Sequence, residues 1–178
     1  MEVIEVKASQ VGHGSAKAAL LSIENMRYIH DDASRLDIAK DVRPDMIVGL
    51  HACGSLTDLI IASAMKSCAS FVVCTCCFLS NRNLLVDDGK VYYDWLGVDK
   101  GDIEVLAGIA ERQGDIASQS LGVHTVNALR AAKASGLLSL GESEVYLETF
   151  PLSISGRNHV IVGDLSKRRR SLVQTLLY

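Results

Sequence analysis

The chain has few prolines, few aromatic residues and no long apolar run. Of its 178 residues, 2 are proline and 5% are aromatic. No apolar stretch approaches the ~20 residues that a transmembrane helix needs. The first residues lack the basic region and the apolar stretch of a signal peptide. We therefore expect a cytoplasmic protein that does not associate with a membrane.

The chain also has no large excess of charge of either sign. The chain has 18 basic and 21 acidic residues and a net charge of −3, so it offers no basic field for nucleic acid and we expect no DNA partner. The strongly basic run at 167–170 is typical of a solvated tail, and we assign residues 166–178 to a basic C-terminal tail. Hydrophobic residues make up 48% and charged residues 22%, a balance typical of one globular domain at this length.

The cysteines do not form a disulfide framework. There are 5 of them, an odd number, and 3 lie within four positions. This arrangement is typical of a reducing compartment rather than of a secreted, disulfide-linked domain.

The hydrophobic pattern alternates between strand-like and helix-like segments, which predicts an α/β fold. We predict strands at 2–6, 26–30, 46–50, 70–74, 144–150 and 159–163, and helices at 15–23, 57–65, 103–112 and 121–134. A glycine-containing loop is predicted at 12–14 and a loop-rich segment at 81–102. Crossovers between the first four strands imply parallel pairing. The prediction is one domain over 1–165, with a mostly parallel sheet and a C-terminal antiparallel hairpin.

Acidic residues follow the first two strands, at the sheet edge where doubly wound folds bind ligands. Glu5 could accept hydrogen bonds from the ribose hydroxyls of a nucleoside, or it could be a solvated terminal glutamate. Asp32 could accept a hydrogen bond from an adenine amino group. The Asp-Ala-Ser sequence is also ordinary helix-capping chemistry, and the residues alone favour the cap.

Two unusual loops follow the next two strands. His51-Ala52-Cys53-Gly54 ends a buried strand, and its glycine permits a tight turn before a helix that Ser55, Thr57 or Asp58 could cap. Cys74-Thr75-Cys76-Cys77-Phe78 follows the next strand in the same way. Cysteine sulfur and histidine nitrogen atoms, which are soft donors to metal ions, are thus concentrated at the ends of two neighbouring strands.

The soft donors allow three interpretations. A zinc site could use His51, Cys53, Cys74, Cys76 and Cys77, but Cys-X-Cys-Cys is not the spacing of a zinc knuckle. A nucleophilic cysteine with His51 as its base is an alternative for which no third, orienting residue can be named. Small thiols packed at strand ends are the plainest interpretation. We therefore expect no bound metal ion.

Taken together, the two loops resemble those of a known family. Residues 49–59 (GLHACGSLTDL) and 69–78 (ASFVVCTCCF) are similar to the methyltransferase domain of the glutathione S-transferase C-terminal domain-containing proteins. They also resemble the methyltransferase-like protein 25 group and, more distantly, a group of tRNA 2′-O-methyltransferases. The resemblance covers roughly residues 2–165 and is strongest over 46–78.

The resemblance implies a Rossmann-like class I methyltransferase fold with S-adenosyl-L-methionine as the cofactor. Glu5 would bind the ribose, and Asp32 with the backbone of Ala33 would bind the adenine. The loop of His51, Ala52, Cys53 and Gly54 would lie beside the methionine end, with His51 as the candidate general base. The substrate side would be lined by Thr57, Asp58, Cys74, Thr75, Cys76, Cys77 and Phe78. The methyl acceptor is unknown and could be an RNA, a protein or a small molecule.

Two departures from the family pattern qualify this expectation. Thr75 stands where the family has a proline before two cysteines. The family's first strand and its glycine-rich loop would precede Glu2, so we expect this strand to be missing and strand edges to be unpaired. The expectation is a truncated methyltransferase domain whose activity as it stands is open. A non-catalytic binding module with a degenerate fold and a zinc-binding domain are the alternatives.

Overall fold

The computed structural model describes residues 1–137, 144–151, 153–154 and 158–166. Apart from residue 166, the predicted basic tail therefore lies outside the described residues. The chain divides into two compact units, Met1–Val42 and the residues from Arg43 onward. The single domain over 1–165 stays a prediction. None of the described helices is long and apolar enough to cross a membrane.

The first unit is a short α/β segment. Its elements are β1 (Glu2–Glu5), α1 (Ala8–Leu20), β2 (Arg27–His30), a 3-10 helix (Ala33–Arg35) and α2 (Ile38–Asp41). The two strands pair in parallel, with Glu2 opposite Arg27 and Glu5 opposite His30. The helical crossover between them is the connection that parallel pairing requires. Both predicted strands and their parallel pairing are confirmed.

The prediction of a glycine loop at 12–14 followed by a helix from Ser15 is wrong. Both glycines lie inside α1, which already begins at Ala8. A Cβ atom at Gly14 would overlap the ring of Tyr28 on β2. This glycine therefore permits close approach of the helix to the strand, and it does not make a turn.

The second unit contains a four-stranded sheet and four helices among the described residues. Its elements are β3 (Met46–Ala52), α3 (Ser55–Ser67), β4 (Ser70–Thr75), β5 (Leu85–Asp87), β6 (Lys90–Val91), α4 (Tyr92–Leu96), α5 (Lys100–Ala110), α6 (Ile116–Gly136), β7 (Glu144–Thr149) and β8 (His159–Asp164). The sheet order is β3-β4-β8-β7, and β5 and β6 form a separate small hairpin.

The sheet is mixed, which corrects the prediction of a mostly parallel one. β3 and β4 are parallel, whereas β8 is antiparallel to both β4 and β7. The C-terminal hairpin was predicted correctly, but β8 inserts between β4 and β7, so it brings two antiparallel pairings. Unpaired edges are also present, because β1 and β3 each end a sheet in the described residues.

The segment 81–102 is more regular than the predicted loop. It forms β5, β6 and α4, and it contributes Tyr92 and Trp95 to the core at 3% exposure each. Both aromatic rings pack in one cluster with β4, β8 and the helices. Sequence periodicity could not show this, because the helix is only five residues long.

A buried ion pair joins α6 to the start of α3. The Nε and Nη2 atoms of Arg130 each donate to one carboxylate oxygen of Asp58, both at 2.8 Å. Nη2 also donates to the carbonyl oxygen of Gly54 at 3.1 Å. Asn127, one turn before Arg130, donates from Nδ2 to Thr75 Oγ1 at 3.0 Å. Bidentate, charge-assisted geometry fixes orientation, so this network positions the ends of both β3 and β4.

Removing the guanidinium should destabilise the fold strongly. In an Arg130→Met variant the Asp58 carboxylate stays buried without its cation, which costs about 3–5 kcal/mol. We expect a urea titration to show this loss in the free energy of unfolding. Arg82→Met is the matched control, because the Arg82–Glu104 pair at 3.3 Å is partly exposed and such pairs contribute about 0–1 kcal/mol.

A double variant tests the cause of the loss. Arg130→Met with Asp58→Leu removes both charges and should be more stable than Arg130→Met alone. Equal losses for Arg130→Met and Arg82→Met would contradict the assigned role of the buried pair.

Candidate functional site

The two sequence loops lie side by side. Gly54 donates its backbone N–H to the carbonyl oxygen of Cys77 at 2.6 Å. The Asn81 amide donates to the carbonyl oxygen of Cys53 at 3.0 Å. Because β3 and β4 are parallel neighbours, both loops leave the same edge of the sheet. The structure therefore brings residues 51–54 and 74–78 into one site.

The backbone of the first loop is tightly constrained. Gly54 has φ 55° and ψ −129°, and a Cβ atom there would overlap the carbonyl oxygen of Ser80. His51 is also left-handed, with φ 53°. The glycine is thus needed for packing against the protein's own second loop, which the sequence suggested only as a tight turn.

The start of α3 is not capped as predicted. Gly54 is the N-cap residue and makes no side-chain cap bond. Thr57 instead donates from Oγ1 to the Ala52 carbonyl oxygen at 2.7 Å, and Asp58 pairs with Arg130. Ser55 is 2% exposed, and its hydroxyl has no hydrogen-bond partner among the described residues. A buried polar group without a partner is uncommon and points to a ligand or a water molecule.

Several residues predicted to line the substrate side are interior. Thr57, Asp58, Thr75 and Phe78 are each at most 3% exposed. The hydroxyl of Thr75 accepts a hydrogen bond from the Asn127 side chain. The residue at the family's proline position is therefore held by a contact with α6. Cys74 is also buried, and burial raises the pKa of its thiol. The contacts of these residues support the loops, and their role on the substrate side stays a prediction.

Three of the five cysteines form a cluster. The Sγ atoms of Cys53, Cys76 and Cys77 all lie within 4.8 Å of one another, and those of Cys76 and Cys77 are 3.5 Å apart. Burial, followed by the neighbouring thiols, raises the pKa of Cys76 to about 12 and also raises that of Cys53. Reactive cysteines have a lowered pKa, so these two thiols do not fit the nucleophile alternative.

His51, the candidate base, is exposed. Its carbonyl oxygen accepts a hydrogen bond from the Cys53 thiol at 3.3 Å. His51 is therefore accessible to solvent at the end of β3. Its role as a base stays a prediction.

The two carboxylates of the first unit that were predicted to bind a nucleoside, Glu5 and Asp32, have local partners. Oδ1 of Asp32 accepts from the backbone N–H and the hydroxyl of Ser34, at 2.9 and 2.8 Å, and these bonds lower its pKa. The capping interpretation is thus confirmed, with Ala33 as the first residue of the 3-10 helix. Glu5 accepts the Lys7 N–H at 2.9 Å. Their roles towards a nucleoside stay predictions.

An open cleft of about 720 Å³ lies next to the second loop. It is lined by Leu79, Asn81, Arg82, Asn83, Leu84, Tyr93, Lys100 and Glu104. Asn81 belongs both to this cleft and to the contact with Cys53, so the cleft opens beside the paired loops.

The sequence did not reveal the interior residues that hold the loops through hydrogen bonds. Arg130 and Asn127 of α6 hold α3 and Thr75, and a carboxylate oxygen of Glu111 accepts the Phe78 N–H at 2.5 Å. A signal for Arg130 was available. It falls on the buried face of α6 at helical spacing from Val123 and Val126, and a charge on such a face needs a buried partner.

Comparisons with known proteins point to one family. Residues 1–81 match a family model described as a methyltransferase domain. The chain is 28% identical over 125 residues to the glutathione S-transferase C-terminal domain-containing protein of Bos taurus. This match covers 65% of this chain and 19% of that protein. The proteins of the same name from Macaca fascicularis and Homo sapiens are each 55% identical over 31 residues, covering 17% of this chain and 5% of theirs.

The chain thus spans less than a fifth of the length of these relatives. No solved structure matches it significantly. The match over residues 1–81 includes both β strands of the first unit and both paired loops. The resemblance to a methyltransferase domain and to the glutathione S-transferase C-terminal domain-containing proteins is therefore confirmed.

Proposed function

We propose that the chain is part of an S-adenosylmethionine-dependent methyltransferase whose site includes loops 51–54 and 74–78. The observation that carries the proposal is the pairing of these loops at the carboxyl ends of the adjacent parallel strands β3 and β4. Ligands of α/β sheets bind at this edge. Both loops also fall within the segment that matches the methyltransferase domain.

The residues of the first unit fit a nucleoside chemically. S-adenosylmethionine carries a reactive methyl group on a sulfonium, so the protein has mainly to position the acceptor in line with it. Ribose hydroxyls and the adenine amino group are donors, and carboxylates such as Glu5 and Asp32 are acceptors with several lone pairs. Asp32 is ionised at neutral pH, as an aspartate ordinarily is, and its hydrogen bonds from Ser34 lower its pKa further.

In the second unit, Ser55 fits a polar ligand. Its buried hydroxyl directly follows Gly54 and has no partner among the described residues. A polar group of the cofactor's methionine end would satisfy it. The Ser55 hydroxyl is thus a feature of the loop that internal packing does not use.

His51 is our candidate for the general base. Its exposed ring could take a proton from an acceptor, the one proton transfer that such a reaction needs. The cleft beside Asn81 is our candidate for the path by which the acceptor reaches the loops.

Cofactor binding by the chain tests the proposal. We expect calorimetry to show saturable binding of S-adenosylmethionine. Glu5→Gln should weaken it by about 10- to 100-fold, because a hydrogen bond to a charged group contributes about 1.5–3 kcal/mol. Ser55→Ala should weaken it by about 2- to 10-fold, which corresponds to one neutral hydrogen bond.

Two variants serve as matched controls. Glu24→Gln removes an exposed carboxylate of the first unit, and Ser63→Ala removes a hydroxyl from the same helix as Ser55. Neither should change the affinity. Absence of binding at millimolar cofactor, or equal effects of the test and control variants, would refute the proposal and favour the non-catalytic binding module.

A further inference from the structure

The thiols of Cys53, Cys76 and Cys77 stand apart from the role proposed for the loops. Methyl transfer needs positioning and at most one base, and three converging thiols supply neither. They come from two loops on two strands, so local sequence alone does not bring them together. Their sulfur atoms nevertheless lie within 4.8 Å of one another.

From this geometry we infer that Cys53, Cys76 and Cys77 bind one zinc ion through three thiolates, with a fourth coordination position open. Thiolates about 2.3 Å from zinc at tetrahedral angles lie about 3.8 Å apart. The 3.5 Å separation of the Cys76 and Cys77 sulfur atoms and the 4.8 Å limit for all three bracket this spacing. A metal ion therefore needs only small side-chain rotations.

The backbone around the cluster is fixed before any ion binds. The backbone hydrogen bond of 2.6 Å from Gly54 to Cys77 links the two loops. The Asn81 amide holds the carbonyl oxygen of Cys53, and Arg130 holds that of Gly54. Neighbours that orient the ligand residues are what a preformed metal site requires.

The donor set differs from the one that the sequence suggested. Among the described residues, His51 and Cys74 are not part of the group of converging ligand atoms. This leaves three sulfur ligands and one position for water or an external donor, the arrangement of open zinc sites rather than of closed structural ones. The Cys-X-Cys-Cys spacing does not exclude this site, because its ligands come from the loops after two different strands.

The chemistry selects a soft cation. Thiolates favour zinc and copper(I) over magnesium or calcium. Each thiol that binds gives its proton to the solvent, so zinc uptake is accompanied by proton release. We commit to zinc, and a preference for copper(I) is an outcome that would overturn the inference.

The test uses the whole chain, reduced and stripped of metal by a chelator. We expect titration with zinc to reach one ion per chain. Titration with cadmium should give an ultraviolet sulfur-to-metal charge-transfer band whose intensity corresponds to three thiolates. Cys53→Ser, Cys76→Ser and Cys77→Ser should each lower zinc affinity at least about tenfold, because loss of an outer partner already costs 10- to 100-fold.

Cys68→Ser is the matched control, since Cys68 ends α3 outside the cluster. It should leave affinity and stoichiometry unchanged. X-ray absorption of the zinc-loaded wild-type chain gives an independent sulfur count if a serine variant does not fold, and we expect three sulfur ligands. Four or no sulfur ligands, a disulfide within the cluster under reducing conditions, or equal effects of Cys68→Ser and the cluster variants would overturn the inference. Cofactor binding does not enter this readout, so the zinc site and the methyltransferase proposal fail independently.

Discussion

The arrangement of the paired loops depends on the buried contact between Arg130 and Asp58. A guanidinium and a carboxylate that are both out of water are costly to bury, and the cost is offset only by ideal geometry and further hydrogen bonds. Arg130 satisfies both conditions, with two 2.8 Å bonds to Asp58 and one bond to the Gly54 carbonyl oxygen. The carboxyl end of β3 is thereby attached to the longest described helix of the chain.

This attachment fixes the backbone of the loops. With Gly54 held by Arg130 on one side and by Cys77 on the other, the exposed His51 and the cysteine cluster are presented by a fixed backbone. Ligands are bound best where the supporting neighbours are themselves packed and hydrogen-bonded. Thr57, Asp58 and Thr75, which the family resemblance assigns to the substrate side, lie in that supporting layer.

Many of the helices and strands could be predicted from the sequence, because each follows from the local periodicity of its hydrophobic residues. β3, α3 and β4 were placed within two residues at each end. The sheet order was not predictable in this way, because the sequence of β8 itself does not indicate that this strand inserts between β4 and β7. Gly14 was misleading, because a glycine that permits close packing looks like a glycine that makes a turn.

The site was predictable only in part. The resemblance indicated the two loops, which the structure brings together, because they are concentrated in short motifs. The roles of Glu5 and Asp32 towards a cofactor stay predictions. Glu111 and Asn127 were missed because their partners lie 33 and 52 residues away. The convergence of Cys53 with Cys76 and Cys77 has the same origin, since it depends on the parallel pairing of two strands.

We propose that loop 51–54 faces the bound cofactor. Amide chemical shifts measured by NMR during titration with S-adenosylhomocysteine test it most directly, because they report residue by residue. We expect the signals of the Gly54 and Ser55 amides to shift progressively and to saturate, while the signal of the Gly108 amide on α5 does not shift. Shifts confined to residues outside the loop, or none at all at saturating ligand, would contradict it.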